Sequence, residues 1–160
     1  MAMENKFTEI CQIGMVVRDR EKILKYMEEV FGAKPALIAN TVEDENSRYY
    51  DEHGQFEAEL IFYRFANIEL EFVVPISGKS IWQDFLDEHG EGIHHFLFNV
   101  DSFEGAKQQM AENDIPIIQQ GSSIMGVPGV KWAYFDTTKK LPFIAEIKNT
   151  AEFAPKKDEK

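Results

Sequence analysis

One strand opening is written twice in this chain, and the repeat limits the folds open to it. Gln12-Ile13-Gly14-Met15-Val16-Val17-Arg18-Asp19 stands near the start, and His95-Phe96-Leu97-Phe98-Asn99-Val100-Asp101-Ser102 near the middle. Each begins with a side chain able to ligate a metal, continues as an apolar strand, closes in polar residues and leads into an amphipathic helix. The offset, 95 − 12 = 83, is about half of the 160 residues. Each half later sets one carboxylate inside an otherwise apolar strand, Glu71 in Ile68–Val74 and Glu146 in Phe143–Ile147. The pattern predicts an α+β fold of paired βαβββ modules, whose two curled mixed sheets form a cleft. A single domain of 160 residues divides into a first module at 7–75, a connector helix within 76–92, a second module at 93–149 and a flexible tail at 150–160.

The elements follow from spacing. Gln12, Gly14 and Val16 share one strand face, opposite Cys11, Ile13 and Met15. Asp19 is placed to cap a helix Arg20–Phe31, where Ile23, Leu24, Met27, Val30 and Phe31 form an apolar stripe that Gly32 ends. A short strand near Ala36–Ala39 precedes Asn40–Gln55, a polar and acidic stretch predicted to be a long mobile loop. Phe56–Phe65 and Ile68–Val74 read as a hairpin, with Pro75 stopping its second strand. The connector helix is Ser80–His89. A helix from about Phe103 to Asn113 then leads to strands at Ile115–Gln119, Lys131–Asp136 and Leu141–Lys148, with a Gly/Ser/Pro loop at Gly121–Gly129. The charged end, Glu152–Lys160, is expected to fray.

Composition narrows the function. The net charge of −11 argues against nucleic acid and anionic membrane surfaces as partners, and by itself serves solubility. A hydrophobic content of 44% with 13 Phe is enough for a packed core. No window supplies the roughly 18 apolar residues of a membrane span, and the start carries no apolar signal core. The single cysteine, Cys11, cannot form an internal disulfide and fits a buried apolar role in a reducing, cytoplasmic setting.

Period two in the second module puts His95, Leu97 and Asn99 on one face and Phe96, Phe98 and Val100 on the other, so His95 faces the cleft and His94 turns away. Glu71 and Glu146 each oppose apolar neighbours on their strands. A buried, unpaired carboxylate costs several kcal/mol, and one divalent cation removes that cost for both. Gln12 adds a neutral oxygen and His95 a neutral nitrogen. The set Gln12, Glu71, His95 and Glu146 suits one Zn, Co, Ni, Mn or Fe ion, with a position left open for water or substrate. Each residue alone has a commoner role: Gln12 at an edge, Glu71 facing solvent, His95 as a core histidine, Glu146 paired with Lys148. Their matched places in two repeats favour the common site.

The segments Gln12-Ile-Gly-Met-Val-Val, Glu69-Leu-Glu-Phe-Val-Val-Pro75, Phe85 through His95-Phe-Leu-Phe-Asn-Val, and Ala133-Tyr-Phe-Asp-Thr through Glu146 resemble the vicinal oxygen chelate superfamily. That superfamily includes glyoxalase I, methylmalonyl-CoA epimerase, fosfomycin- and bleomycin-resistance proteins and extradiol dioxygenases. The likeness runs from about Glu9 to Lys148 and is most specific, and most epimerase-like, over Phe85–Asp101. It implies metal ligands at Gln12, Glu71, His95 and Glu146. Epimerases usually carry His at the place of Gln12, whereas Gln, Glu, His, Glu is the set of zinc-type glyoxalase I. Phe135-Asp-Thr-Thr-Lys-Lys-Leu-Pro142 replaces the epimerases' His-Pro-Lys and Gly-Gly stretch, which speaks against a coenzyme A thioester, and no glutathione-binding residues are matched. The resemblance implies a metal-dependent isomerase, epimerase or glyoxalase-type lyase that moves a proton beside a carbonyl, with the metal stabilising an enolate. Glu146 is the first candidate for the base and Glu59 the second, and Tyr134 and Trp132 are candidates to wall the pocket. The alternatives are a metal-free small-molecule binding protein and, less favoured with one His, a dioxygenase. A homodimer is also implied, with the cleft formed within one chain or by exchange between two.

Overall fold

The computed structural model describes residues 7–150, so the tail expected to fray at Glu152–Lys160 lies outside them. The chain runs β1 (Phe7–Val16), α1 (Arg20–Phe31), β2 (Leu37–Asn40), β3 (Arg48–Tyr49), β4 (Glu52–His53), β5 (Glu57–Arg64), β6 (Glu69–Ser77), α2 (Ile81–His89), β7 (Gly92–Val100), α3 (Phe103–Glu112), β8 (Ile117–Ser122), β9 (Lys131–Phe135) and β10 (Ile144–Lys148). Each helix begins at a side-chain cap that absorbs a free N–H: Asp19, Ser80 and Ser102 accept from Lys22, Gln83 and Gly105. Gly32, in the left-handed region at φ 62°, closes α1. Among the described residues no helix is long and apolar enough to cross a membrane.

All ten strands form one curled mixed sheet, in the order β2-β5-β6-β1-β7-β10-β9-β8-β3-β4. This corrects the expectation of two sheets. β1 lies parallel to β6 on one side and antiparallel to β7 on the other, from Phe7↔Val100 to Val16↔Gly92. Two separate sheets would leave the N–H and C=O groups of β1 and β7 as bare edges, and pairing them to each other satisfies both rows. β7 in turn lies parallel to β10.

Asn40–Gln55 is also not the free loop the sequence predicts. It leaves β2 at one edge of the sheet and adds β3 to β8 near the other, with Arg48↔Gln120 and Tyr49↔Gln119 in register. Asn46 Nδ2 donates to Ser122 Oγ at 3.0 Å, and the Tyr49 hydroxyl donates to Asp84 at 2.6 Å. The segment is thus a strap across the open mouth of the half-barrel. Pro75 does not stop β6 either, which continues to Ser77. Pro75 lies opposite Ala58 beside a shift in register, where a missing N–H is tolerated.

The core divides by sheet face. On the convex side α1 covers Ile61, Tyr63, Phe72 and Val74, and α3 covers Val100, Ala133, Phe135 and Ile147. The α1 stripe packs through Ile23, Leu24 and Met27; Val30 and Phe31 are exposed, and Ala33, just past the Gly32 turn, packs in their stead. The concave side gathers Leu60, Phe62, Val73, Ile118, Trp132 and Tyr134 under Ile81, Trp82 and Leu86 of α2. Phe56, from the end of the strap, meets Trp82 edge-on at 5.5 Å.

Candidate metal centre

The four central strands, β6-β1-β7-β10, carry Glu71, Gln12, His95 and Glu146 respectively, one each. Their registers match across the two halves. Glu71 lies opposite Gly14, two residues after Gln12, and Glu146 lies opposite Leu97, two residues after His95. Cross-strand partners point the same way. All four side chains therefore point to the concave face, and a single chain brings them together. They are buried, with exposures of 1% for Gln12, 3% for Glu71, 0% for His95 and 2% for Glu146.

His95 is the hub. Its Nε2 lies 3.3 Å from Glu71 Oε1 and 3.2 Å from Glu146 Oε2, and the Tyr134 hydroxyl is 3.4 Å away. Burial pulls this imidazole down, but the neighbouring carboxylates of Glu146 and Glu71 outweigh it and push it up to about 9. Tyr134 is held far above its usual range, first by burial and then by the charges of Glu146 and Glu71. It is a neutral hydroxyl donor.

The ring of His95 lies flat over Gly14. A Cβ built on Gly14 would fall 1.9 Å from His95 Cε1, so only glycine leaves room for the imidazole. The other ring nitrogen, Nδ1, is 2.9 Å from His94 Nδ1. His94 was expected to turn away. It sits instead at an irregularity, where Gly14 pairs with His95 but Met15 pairs with Ile93, and the extra residue re-aims its side chain. His94 packs edge-on against Phe85 and Tyr134 and is held neutral, by burial first and by His95 second. Gln12 is fixed from behind: its Nε2 donates to Glu69 Oε1 at 2.7 Å, and Arg64 Nε reaches Glu69 Oε2 at 3.2 Å. That anchoring leaves Gln12 Oε1 free on the inner side.

Glu59 is not brought to this site. It lies on the convex face and pairs with Arg20 of α1 at 2.5 Å. Cys11 is half-buried with its thiol pushed up by burial, which does not make a nucleophile. Glu146 does not form the ion pair with Lys148 that its strand neighbours allowed; its close ionic contact is His95. Three further contributors escaped the sequence reading: Gly14, Glu69 and His94. A glycine inside an apolar strand is a signal of close approach, and Glu69 shares a strand face with Glu71, so both were open to detection.

The donor set fits a divalent ion. Gln12 Oε1, Glu71 Oε1 and Glu146 Oε2 are buried with no hydrogen-bond partner, although buried acceptors are rarely left so. Ligand bonds of about 2.0–2.2 Å set neighbouring ligand atoms about 3–3.5 Å apart, which is the spacing seen around Nε2. Among the described residues no three His, Cys, Asp or Glu groups close around one ion-sized point, so the fit rests on the donor types and their unsatisfied atoms. Above the site opens a cavity of about 250 Å³, walled by Leu37, Leu60, Phe62, Trp82 and Trp132, with Glu71, Tyr134 and Glu146 in its floor.

The model of the Glyoxalase/Bleomycin resistance protein/Dioxygenase superfamily matches residues 11–134. The chain belongs to this superfamily. Among solved structures, a hypothetical protein of Bacillus halodurans is 21% identical, with a TM-score of 0.61 over 90% of this chain and 93% of that one. A variant methylmalonyl-CoA epimerase of Streptomyces coelicolor in complex with 2-nitronate-propionyl-CoA is 14% identical, with a TM-score of 0.64 over 89% and 94%. The methylmalonyl-CoA epimerase of Mycobacterium tuberculosis is 13% identical, with a TM-score of 0.62 over 92% and 93%. At these identities the likeness is one of fold. No curated protein matches the chain. Members of the superfamily commonly bind a divalent metal, and many are enzymes.

Proposed function

We propose that this member of the superfamily is a metal-dependent enzyme that moves a proton beside the carbonyl of a small substrate, as an isomerase or epimerase or as a glyoxalase-type lyase. One observation carries the reading: three acceptor oxygens without donors and one imidazole stand on four adjacent strands of the concave face, and two of them, Glu71 and Glu146, line the floor of a cavity. Gln12, Glu71, His95 and Glu146 hold the ion, and their mixed oxygen and nitrogen donors suit Zn, Co, Ni, Mn or Fe. When bound, the ion polarises a substrate carbonyl and stabilises negative charge developing on its oxygen. The epimerases among the structural neighbours favour the same proton chemistry, though at 13–14% identity they do not fix the substrate.

The chain's own groups supply the rest. His94 and Gly14 set the plane of His95, one through its Nδ1 and the other through the space it leaves. Glu69 turns the oxygen of Gln12 inward. Glu146, lining the cavity, takes the proton from the carbon next to the carbonyl and returns it, to the opposite face or to a neighbouring atom. The neutral hydroxyl of Tyr134 donates to whichever oxygen carries the charge. Trp82, Trp132 and Phe62 keep water from the reacting carbon. With one imidazole in the set, an iron oxygenase of the two-His type is disfavoured. The homodimer is carried as part of the proposal alone, since one chain already joins the four groups.

A second reading, a metal-free binding protein, has one observation in its favour: as an imidazolium, His95 itself answers two buried carboxylates. The count of acceptors favours the metal: one Nε2 proton is set against three orphaned oxygens. Elemental analysis tests the difference. About one Zn, Co, Ni, Mn or Fe per chain, lost in His95→Ala, supports the site. Solvent deuterium entering the carbon beside the carbonyl of a thioester, hemithioacetal or 2-oxo compound then supports the reaction. No metal after soaking with each ion refutes the proposal and leaves the binding protein.

A further inference from the structure

The cavity above the four groups is lined by three bases and three acids, Arg64, Lys131 and Lys148 against Glu69, Glu71 and Glu146. That balance changes with the proposed metal site. Glu71 and Glu146 belong to the ion, and Arg64 is spent on Glu69. Among the described residues, Lys148 and Lys131 are then left without an ion-pair partner. Lys148 is half-buried and, among the described residues, no ion pair or hydrogen bond engages its ammonium group. Among the described residues no carboxylate comes within ion-pair distance of this ammonium, although Glu146, Glu71 and Glu69 act on it from farther away.

We infer that Lys148 is a specificity residue, and that the substrate carries an anionic group held by Lys148 at the end of the cavity away from the reacting carbonyl. This rests on the metal-site reading above and adds to it the class of substrate. Lys148 follows Glu146 by two residues on the same strand face, so the two Cα atoms are about 7 Å apart along β10. Lys131, at the start of the neighbouring strand β9, lies at the same end. The wall between is apolar, made by Leu60, Phe62, Trp132 and Ile124. The cavity, about 250 Å³, is below the roughly 300–1,000 Å³ of drug-sized ligand sites. A short acyl or 2-oxo compound fits, with its carbonyl at the four groups, a few carbon atoms along the apolar wall and a carboxylate or a phosphate-type group on Lys148. Such an anion replaces the water that an unpaired ammonium must otherwise keep inside a partly apolar cavity.

The test uses Co²⁺-loaded protein and three hydroxamates that differ at one end: butyrohydroxamate, with a methyl end, succinic acid monohydroxamate, with a carboxylate, and 3-phosphonopropionohydroxamate, with a phosphonate. Binding is read from the Co²⁺ visible spectrum and by calorimetry, with Co²⁺ content measured for each protein. The expected result is tighter binding of at least one anionic probe by tenfold or more, a preference lost in Lys148→Met and kept in Lys148→Arg. Which of the two anions gains identifies the carboxylate or the phosphate-type substrate. Equal binding of all three probes to the wild-type protein overturns the inference while leaving the metal site standing. A preference that survives Lys148→Met overturns the assignment to this lysine. Failure of the wild-type protein to take up Co²⁺ overturns both readings together.

Discussion

In the proposed metal site the ion competes with a proton for His95, and that competition has a size. In the metal-free protein its imidazole holds a proton up to about 9, because two buried carboxylates flank it. A divalent ion takes only the neutral imidazole. Binding at pH 7 must therefore release nearly one proton per site, against about a quarter for an imidazole of ordinary pKa near 6.5. Between pH 7 and 8.5 the apparent affinity rises about 20-fold, where an ordinary histidine gives less than about 1.5-fold. Calorimetric titration with Co²⁺ or Ni²⁺, in buffers of different ionisation heat, reads both quantities. The stability of the metal-free protein runs the other way. The folded pKa is raised, so the contribution of His95 is complete below about pH 6.5 and is lost as pH rises through about 9. That loss is on the order of 3 kcal/mol. A quarter of a proton or less released at pH 7, with affinity flat to pH 8.5, would refute the placing of His95 between the two carboxylates.

Three substitutions separate the parts of the site. Gly14→Ala puts a methyl 1.9 Å from the His95 ring, so metal content falls to background, as elemental analysis reads, while circular dichroism stays native. Glu69→Ala frees the Gln12 amide and lowers Co²⁺ affinity by about 10–100-fold without changing the metal-to-chain ratio at saturation. Glu59→Ala breaks only the half-exposed pair with Arg20, so metal content is unchanged and denaturant midpoints report a loss below about 1 kcal/mol.

What the sequence shows and hides here has physical causes. The helices are legible because each has an apolar stripe and a side-chain cap, and the strands that hold Gln12, Glu71, His95 and Glu146 because each is an apolar run carrying a polar side chain. The face of Glu59 is not legible. β5 buries Ala58, Leu60 and Phe62 on one side and Ile61 and Tyr63 on the other, so alternation cannot tell inside from outside. His94 is misjudged for a different reason. Period two holds only where the ladder is regular, and the irregularity between Gly14 and Met15 follows from pairing with β1, a strand some 80 residues away in sequence. The joining of the sheet through β1 and β7, and the strap that adds β3 to β8, are likewise long-range pairings. Nothing local in Asn40–Gln55 distinguishes a short edge strand from a loop.

The matched registers also explain why one of the proposed ligands is an amide and the other an imidazole. Across the β1–β7 pair, Gly14 faces His95 and Leu97 faces Gln12. The two places are equivalent, each two residues beyond the first ligand of its own strand. One is empty and the other filled, since Leu97 is 7% exposed. An imidazole on β7 lies over the empty place, whereas an imidazole at position 12 would meet Leu97. The amide avoids it by turning to Glu69. Gln12→His alone therefore overpacks the floor and destabilises the metal-free protein by about 1–3 kcal/mol. Leu97→Ala alone opens a cavity at a cost of about 2–5 kcal/mol. Together the new ring fills the space the leucine leaves, so the double variant loses less than the sum by at least about 1 kcal/mol. Denaturant unfolding of the four proteins measures this coupling. Additive losses would mean that Leu97 does not control which side chain position 12 can carry, and the choice of glutamine would need another cause.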